Sequence, residues 1–187
     1  MDLPILNLSA LANVAVFVCE HSDEKRTRFL QTFATGKDNV PIVTNERSSP
    51  LYETFQNVQT TYDANKYNIE SLRGSTCIFD DCFTDTTWVR DTTLLHLISY
   101  PRMLGLTSVF GFTRVCRLPP RMCWNLDLIC IGATPSPKDR ELLRECFFLY
   151  RFSYDEFCEL LDNVTKGNGF LVLRREGPEE KLYQAYG

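Results

Sequence analysis

The sequence predicts an α/β fold of three layers: a mostly parallel sheet with helices on both faces, closed by a small C-terminal hairpin. Three observations lead there. Short apolar, β-branched runs recur along the chain and alternate with helical stretches of about a dozen residues, the pattern of parallel strands joined by crossover helices. Proline and glycine punctuate the boundaries between them. The last two strand-like runs are separated only by Glu176-Gly177-Pro178-Glu179, which suits a hairpin. The 187 residues read as one domain, 1–187. Chains near this size bury roughly 70% of their unfolded surface, enough for a sizeable core.

In chain order, residues 13–19 (NVAVFVC) read as a buried strand. Ser22 is an N-cap for an exposed polar helix that runs through Phe33 and ends near Gly36. Residues 41–44 make a second strand, and Ser49-Pro50 opens another helix toward Tyr62, with proline in its first turn. A polar linker, 63–74, leads to a strand over 75–80 (STCIFD) that ends abruptly in acids. A helix over 86–99 carries Trp88, Val89, Leu94, Leu95, Leu97 and Ile98, and Pro101 stops it. Residues 106–112 are strand, 114–120 a basic loop ended by proline, and 126–131 (LDLICI) strand again. Pro137 starts a helix through Phe148, and Ser153 caps another that has Asp155 and Glu156 in its first turn. Gly167-Asn168-Gly169 then turns the chain into a strand over 170–173, and 181–186 is the last.

Composition excludes several classes. With 44% hydrophobic and 24% charged residues the chain is globular rather than disordered. A net charge of −4 gives no general attraction to nucleic acid, so any DNA contact needs a local basic patch. Eight cysteines without a CxxC pair, and only two histidines (His21 and His96), argue against a structural zinc site. Cys19 and Cys130 stand inside apolar runs, as core thiols do in a reducing intracellular compartment. No apolar run is long enough for a membrane span, and the start lacks the basic region of a secretory signal.

The chemistry centres on Asp80 and Asp81. In a parallel sheet, ligands bind at the carboxyl ends of the strands, and these acids directly follow a buried run. The placement suits Asp80 as a magnesium carboxylate for a nucleotide and Asp81 as the group that polarises an attacking water. A strand terminus whose acids merely cap the next helix fits the pair equally. The loop beyond the next strand carries Arg114, Arg117 and Arg121. Arginines there suit bidentate contact with DNA or phosphate oxygens, or ion pairs with nearby acids on a solvated loop.

The order of features around the acids resembles the genome-packaging ATPases of large DNA viruses, within the FtsK/HerA-like group of P-loop motors. Ile78-Phe79-Asp80-Asp81 matches the metal strand of that family, and Arg102 in Tyr100-Pro101-Arg102-Met103 is what remains of its Gly-Arg-His stretch. Residues 106–114 (LTSVFGFTR) match the sensor strand, with Thr113-Arg114 at its end. Leu118-Pro119-Pro120 and Asn125-Leu126-Asp127 match a Pro-Pro, Arg-x-Asn-x-Asp segment, with Cys123 at the arginine position. The resemblance implies Asp80 as metal ligand, Asp81 and Arg114 as catalytic groups, and Arg102, Arg117 and Arg121 as DNA or phosphate contacts. It also implies Mg2+ and ATP as cofactors, and a homo- or hetero-oligomer with packaging-motor subunits acting on DNA. The place of action would be a site of virion assembly in host cytoplasm or nucleus, with no membrane.

The departures matter as much. No GxxxxGK[ST] phosphate loop exists, and the nearest candidate, Thr35-Gly36-Lys37-Asp38, lacks the first glycine and the hydroxyl. The family layout makes residues 13–19 the strand after the phosphate-loop helix, with Ile5, Leu6, Leu8 and Leu11 as the tail of that helix. The expectation is a P-loop ATPase-like core lacking its phosphate-loop strand, a partial or degenerate form. Its ancestral role is ATP-driven translocation of the genome into the capsid, inactive in this isolated chain. The alternative is a non-enzymatic degenerate subunit that regulates or scaffolds an active motor.

Overall fold

The computed structural model describes residues 3–38, 40–44, 49–60, 69–82, 91–114, 120–177 and 179–187. Eight strands form one sheet: β1 (Ala15–Cys19), β2 (Ile42–Thr44), β3 (Val58–Gln59), β4 (Thr76–Asp80), β5 (Thr107–Phe112), β6 (Leu128–Ile131), β7 (Gly169–Glu176) and β8 (Glu179–Tyr186). Their spatial order is β3-β2-β4-β5-β1-β6-β7-β8. β3 to β6 are parallel to β1, and β7 and β8 are antiparallel additions at one side. The predicted class is therefore observed.

Each inner strand is buried on both faces, as a parallel sheet between helices requires. In β1, Ala15, Phe17 and Cys19 enter one apolar cluster while Val16 and Val18 enter the other. The first cluster packs under α2 (Thr92–Ser99), α5 (Pro137–Leu143) and α6 (Tyr154–Thr165), and stacks Phe79 on Phe110 at 5.1 Å. The second lies under α1 (Asp23–Gln31), where Phe29 and Leu30 meet Val16, Val18 and Ile78. Two shorter helices, α3 (Pro101–Leu104) and α4 (Pro120–Asn125), lead into β5 and β6. α6 carries the capping box expected at Ser153, with reciprocal bonds to Glu156.

Several expectations need correction. The run over 13–19 does not flank the nucleotide core: β1 is its centre, hydrogen-bonded to β5 on one side and β6 on the other. The core therefore does not lack a central strand. Ile5, Leu6, Leu8 and Leu11 are not a helix tail. Leu6 N donates to Gln184 O and Gln184 N to Pro4 O, so this segment lies along the outer edge of β8 and covers it. The helix expected from Ser49 is a single 3-10 turn, Ser49–Tyr52, and Tyr62 lies outside the described residues. The helix expected over 86–99 is seen from Thr92, capped by Asp91; residues 83–90 lie outside the described residues.

Candidate functional site

The sheet topology itself marks one crevice. From β1 the chain crosses by α1 to β2, while β5 leads by α4 to β6 on the other flank of β1. Crossovers diverge at the carboxyl end of β1, and a strand–turn–helix at such a switch point is where phosphate loops sit. Here the turn is Glu20-His21-Ser22, and the chain is already helical from Asp23.

α1 is not the exposed helix its polar sequence suggests. Arg26 and Thr27 are buried with Phe29 and Leu30, facing the carboxyl ends of β4 and β5. Gly111 in β5 makes this approach possible: a Cβ there would stand 2.7 Å from Leu30 Cδ1, 3.1 Å from Asp80 Oδ1 and 3.3 Å from Arg26 Cδ. Arg26 Nε donates to Asp80 Oδ1 at 2.5 Å, and neither side chain has measurable exposure. Thr27 Oγ1 (2.7 Å) and the Tyr52 hydroxyl (3.1 Å) both donate to Asp80 Oδ2. Arg26 Nη1 also donates to Asp23 Oδ1 at 2.8 Å and to Thr113 Oγ1 at 2.9 Å.

Charge follows from this enclosure. Burial alone would lower the pKa of Arg26, but the adjoining Asp80 carboxylate more than offsets it and the guanidinium is held above its ordinary value. For Asp80, burial outweighs the opposing pull of Arg26, Thr27 and Tyr52, so its pKa is raised. A guanidinium in contact with a carboxylate keeps its proton across the accessible pH range, so Arg26 stays the cation of the pair. Burial, then Asp80, likewise raises the Tyr52 phenol, which stays a donor.

A second carboxylate closes the turn. Glu20 is buried, with Ser22 N donating to Oε1 at 2.9 Å and Ala133 N to Oε2 at 2.8 Å. Gly132 gives it room, since a Cβ there would lie 2.0 Å from Glu20 Oε2. Asp23 and Glu24 occupy the first turn of α1, where the positive end of the helix would otherwise attract an anion.

The sequence-predicted residues fare unevenly. Asp80 sits at the centre of the crevice, and Asp81 follows it with φ of +48°, its Oδ1 accepting from Thr113 N at 3.2 Å. Arg114 is exposed just past the carboxyl end of β5; the residue turned into the crevice is Thr113. Arg102 lies on α3 at the amino end of β5, the opposite edge of the sheet, paired with Asp127 at 2.9 Å. Arg117 and the side chain of Arg121 lie outside the described residues. Lys37, in the stretch nearest to a phosphate loop by sequence, donates to Thr76 Oγ1 at 2.9 Å.

Sequence reasoning missed Glu20, Arg26, Thr27 and Tyr52, and of the pair Thr113-Arg114 it gave the catalytic role to Arg114. One signal could have found most of them. From Glu20 to Thr27 (EHSDEKRT) the chain keeps the spacing of G-x-x-x-x-G-K-[ST], with both glycines replaced by Glu20 and Lys25, lysine by Arg26, and the hydroxyl retained in Thr27.

These residues do not fit a magnesium nucleotide as they are placed. A phosphate cradle needs free backbone N–H groups and a metal needs open carboxylate oxygens. Glu20 holds Ser22 N of the turn, together with Ala133 N beyond β6, and both Asp80 oxygens already accept from side chains. Thr44 Oγ1, in register with Asp80 on β2, is buried without a hydrogen-bond partner, and a single neutral oxygen does not replace a carboxylate for magnesium.

No known family pattern matches the sequence, and no curated protein sequence matches it either. Solved structures do. The DNA-packaging ATPase B204 from Sulfolobus turreted icosahedral virus superposes with a TM-score of 0.66 at 15% identity, over 97% of this chain and 100% of that one. The genome-packaging NTPase B204 from Sulfolobus turreted icosahedral virus 2, in complex with ATP-gammaS, gives a TM-score of 0.62 at 15% identity over 93% and 98%. The pCW3 conjugation coupling protein TcpA, also with ATPgS, gives 0.57 at 13% identity over 93% of this chain and 60% of that one. The chain has the fold of a viral genome-packaging ATPase.

Proposed function

We propose that this chain is a packaging-motor-like subunit that neither holds nor hydrolyses nucleotide, and acts by binding and regulating or scaffolding active motor subunits. The observation that carries the reading is the Arg26–Asp80 ion pair, a guanidinium held where a metal-binding carboxylate would need to be open. Glu20 supports it by placing a carboxylate between Ser22 N in the turn after β1 and Ala133 N beyond β6. Nucleotide would have to displace two buried charged groups and overcome the acids at the start of α1. Virion assembly, with homo- or hetero-oligomers of motor subunits as partners, is the setting this fold suggests.

A second reading rests on Thr27 and Asp81. The hydroxyl on Asp80 and the acid beside it are the arrangement that, with Arg26 turned outward, would hold Mg2+ and polarise water for ATP-driven DNA translocation. In that state Arg114 would stabilise charge on the transferred phosphoryl, and Arg102, Arg117 and Arg121 would contact DNA. Titration calorimetry of the purified chain with ATP-gammaS and Mg2+ separates the two. The first reading expects no saturable heat up to millimolar nucleotide. Micromolar binding that is lost in Asp80→Asn would overturn it in favour of the second.

A further inference from the structure

A cleft of about 630 Å3 opens on the flank of the sheet beyond β6, lined in part by Cys123, Trp124, Cys146, Tyr150 and Arg175. Arg175 leaves β7 toward the amino end of β6, where its Nη1 donates to the carbonyl of Cys123 and its Nε to Glu180 at 2.9 Å. The cleft is thus away from the Asp80 crevice, which stands at the carboxyl ends of the strands.

Two local features bring thiols together there. Cys123 lies on α4, turned into the core. α5 runs on as a π-helical turn, Arg144–Phe148, whose wider coil sends Phe147 and Phe148 inward and leaves Cys146 half-buried at the rim. Such π turns are local insertions that often re-aim side chains at functional positions. The two thiols are in hydrogen-bond contact, and this bond, with burial, pushes the Cys123 thiol well above its ordinary pKa. Arg175 pulls the other way but does not prevail. Cys146, half-buried at the rim of the cleft, is the more accessible of the two. Burial raises Cys77 to about 11 and also raises Cys82 and Cys130.

We infer that Cys123 and Cys146 are a dithiol modification site for small-molecule disulfides of the glutathione class, closing to an intramolecular disulfide. The Cys146 thiolate attacks one sulfur of the incoming disulfide, and the second sulfur leaves as a thiolate that takes up a proton. Cys123 then loses its proton to solvent and attacks Cys146 Sγ, expelling the second small thiol. The two protein thiols give up two electrons and two protons, and one small disulfide becomes two small thiols. The product would tie α4 to the π-helical turn across the floor of the cleft.

The test incubates the native full chain with glutathione disulfide, alkylates residual thiols and maps non-reduced peptides by mass spectrometry. The expected product joins the Cys123 and Cys146 peptides, with the loss of two hydrogens and no retained glutathione. Cys123→Ser is expected to stop at a mixed disulfide on Cys146, and Cys146→Ser to take up glutathione at Cys123 roughly tenfold or more slowly than the parent takes it up. A lasting glutathione adduct on Cys146 of the parent chain overturns the inference, as does a bridge from either cysteine to a different one, or no oxidation of the pair. The parent-chain map reads the outcome even if a serine variant folds poorly.

Discussion

Replacing Arg26 by methionine is the sharpest probe of the crevice. The substitution keeps most of the apolar volume of the side chain and removes the cation, leaving Asp80 with the Thr27 and Tyr52 hydroxyls alone. Breaking a buried pair by removing one partner costs about 3–5 kcal/mol, because the remaining charge stays desolvated. The contact of Arg26 with Asp23 adds little, since the Asp23 side chain is 40% exposed and water screens it. For a chain of this length a loss of that size lowers Tm by about 6–20 °C. Urea unfolding followed by far-UV circular dichroism reads the same loss as a fall in the midpoint at unchanged slope. Adding Asp80→Asn to Arg26→Met should recover about half or more of the loss, since the amide keeps acceptor and donor for the two hydroxyls while the stranded charge disappears. Acidity supplies a third reading. Without Arg26 the buried Asp80 carboxylate has no counter-ion and burial favours its protonated form, so the variant loses stability as pH rises above the unfolded pKa of about 4 and the penalty of Arg26→Met should grow from pH 5 to pH 8. A loss below about 1 kcal/mol, or a double variant no more stable than the single one, would refute the buried-pair argument.

Two further substitutions test the supports of the fold. Gly132→Ala puts a methyl 2.0 Å from Glu20 Oε2 and 2.8 Å from Phe170 Cε1, so the Glu20 carboxylate must leave its N–H partners. The expected cost is about 1–3 kcal/mol by urea unfolding, and a neutral result would mean that the carboxylate is not confined there. Ser153→Ala removes the side-chain half of the α6 capping box and should cost about 1 kcal/mol, with faster amide exchange confined to the first turn of that helix.

The fold was legible where local signals agree with tertiary need. β1, β4, β5 and β6 are buried on both faces, so burial forces near-continuous apolar runs and the sequence shows them plainly. α6 combines a capping box with an apolar stripe of Phe157, Leu161 and Val164, and either feature alone would find it. The segment after Ser49 misled because Ser-Pro is a good helix opening, yet only one 3-10 turn forms. What fixes that turn is tertiary bonding, from Tyr52 to Asp80 and from Gln31 to the Leu51 carbonyl, with no periodic trace in the sequence. Strand order is invisible for the same reason: residues 13–19 would look alike at the centre of a sheet or one position away.

The acidic pair shows why a site can be half visible. Asp80 stood out by its place at the end of a buried apolar run and by the order of features around it, whereas Arg26 hid in a run of charges that reads as a solvated helix face. Charge runs are normally solvated, because burying an arginine without a partner is prohibitive. Arg26 escapes that rule because its partners come from distant strands: Asp80 at the end of β4 and Thr113 past the end of β5, with Gly111 leaving the space between. At the spacing of a phosphate loop, Glu20 stands at the first glycine position and turns its buried carboxylate onto Ser22 N, while Lys25 at the second is exposed. At Glu20 the carboxylate takes the place of an anion, and at Arg26 the guanidinium takes the place of a cation. Side chains that carry the same sign as the phosphate and the metal ion a nucleotide site would bind fill the crevice from within, so the fold of a packaging ATPase stands here without its sequence signature.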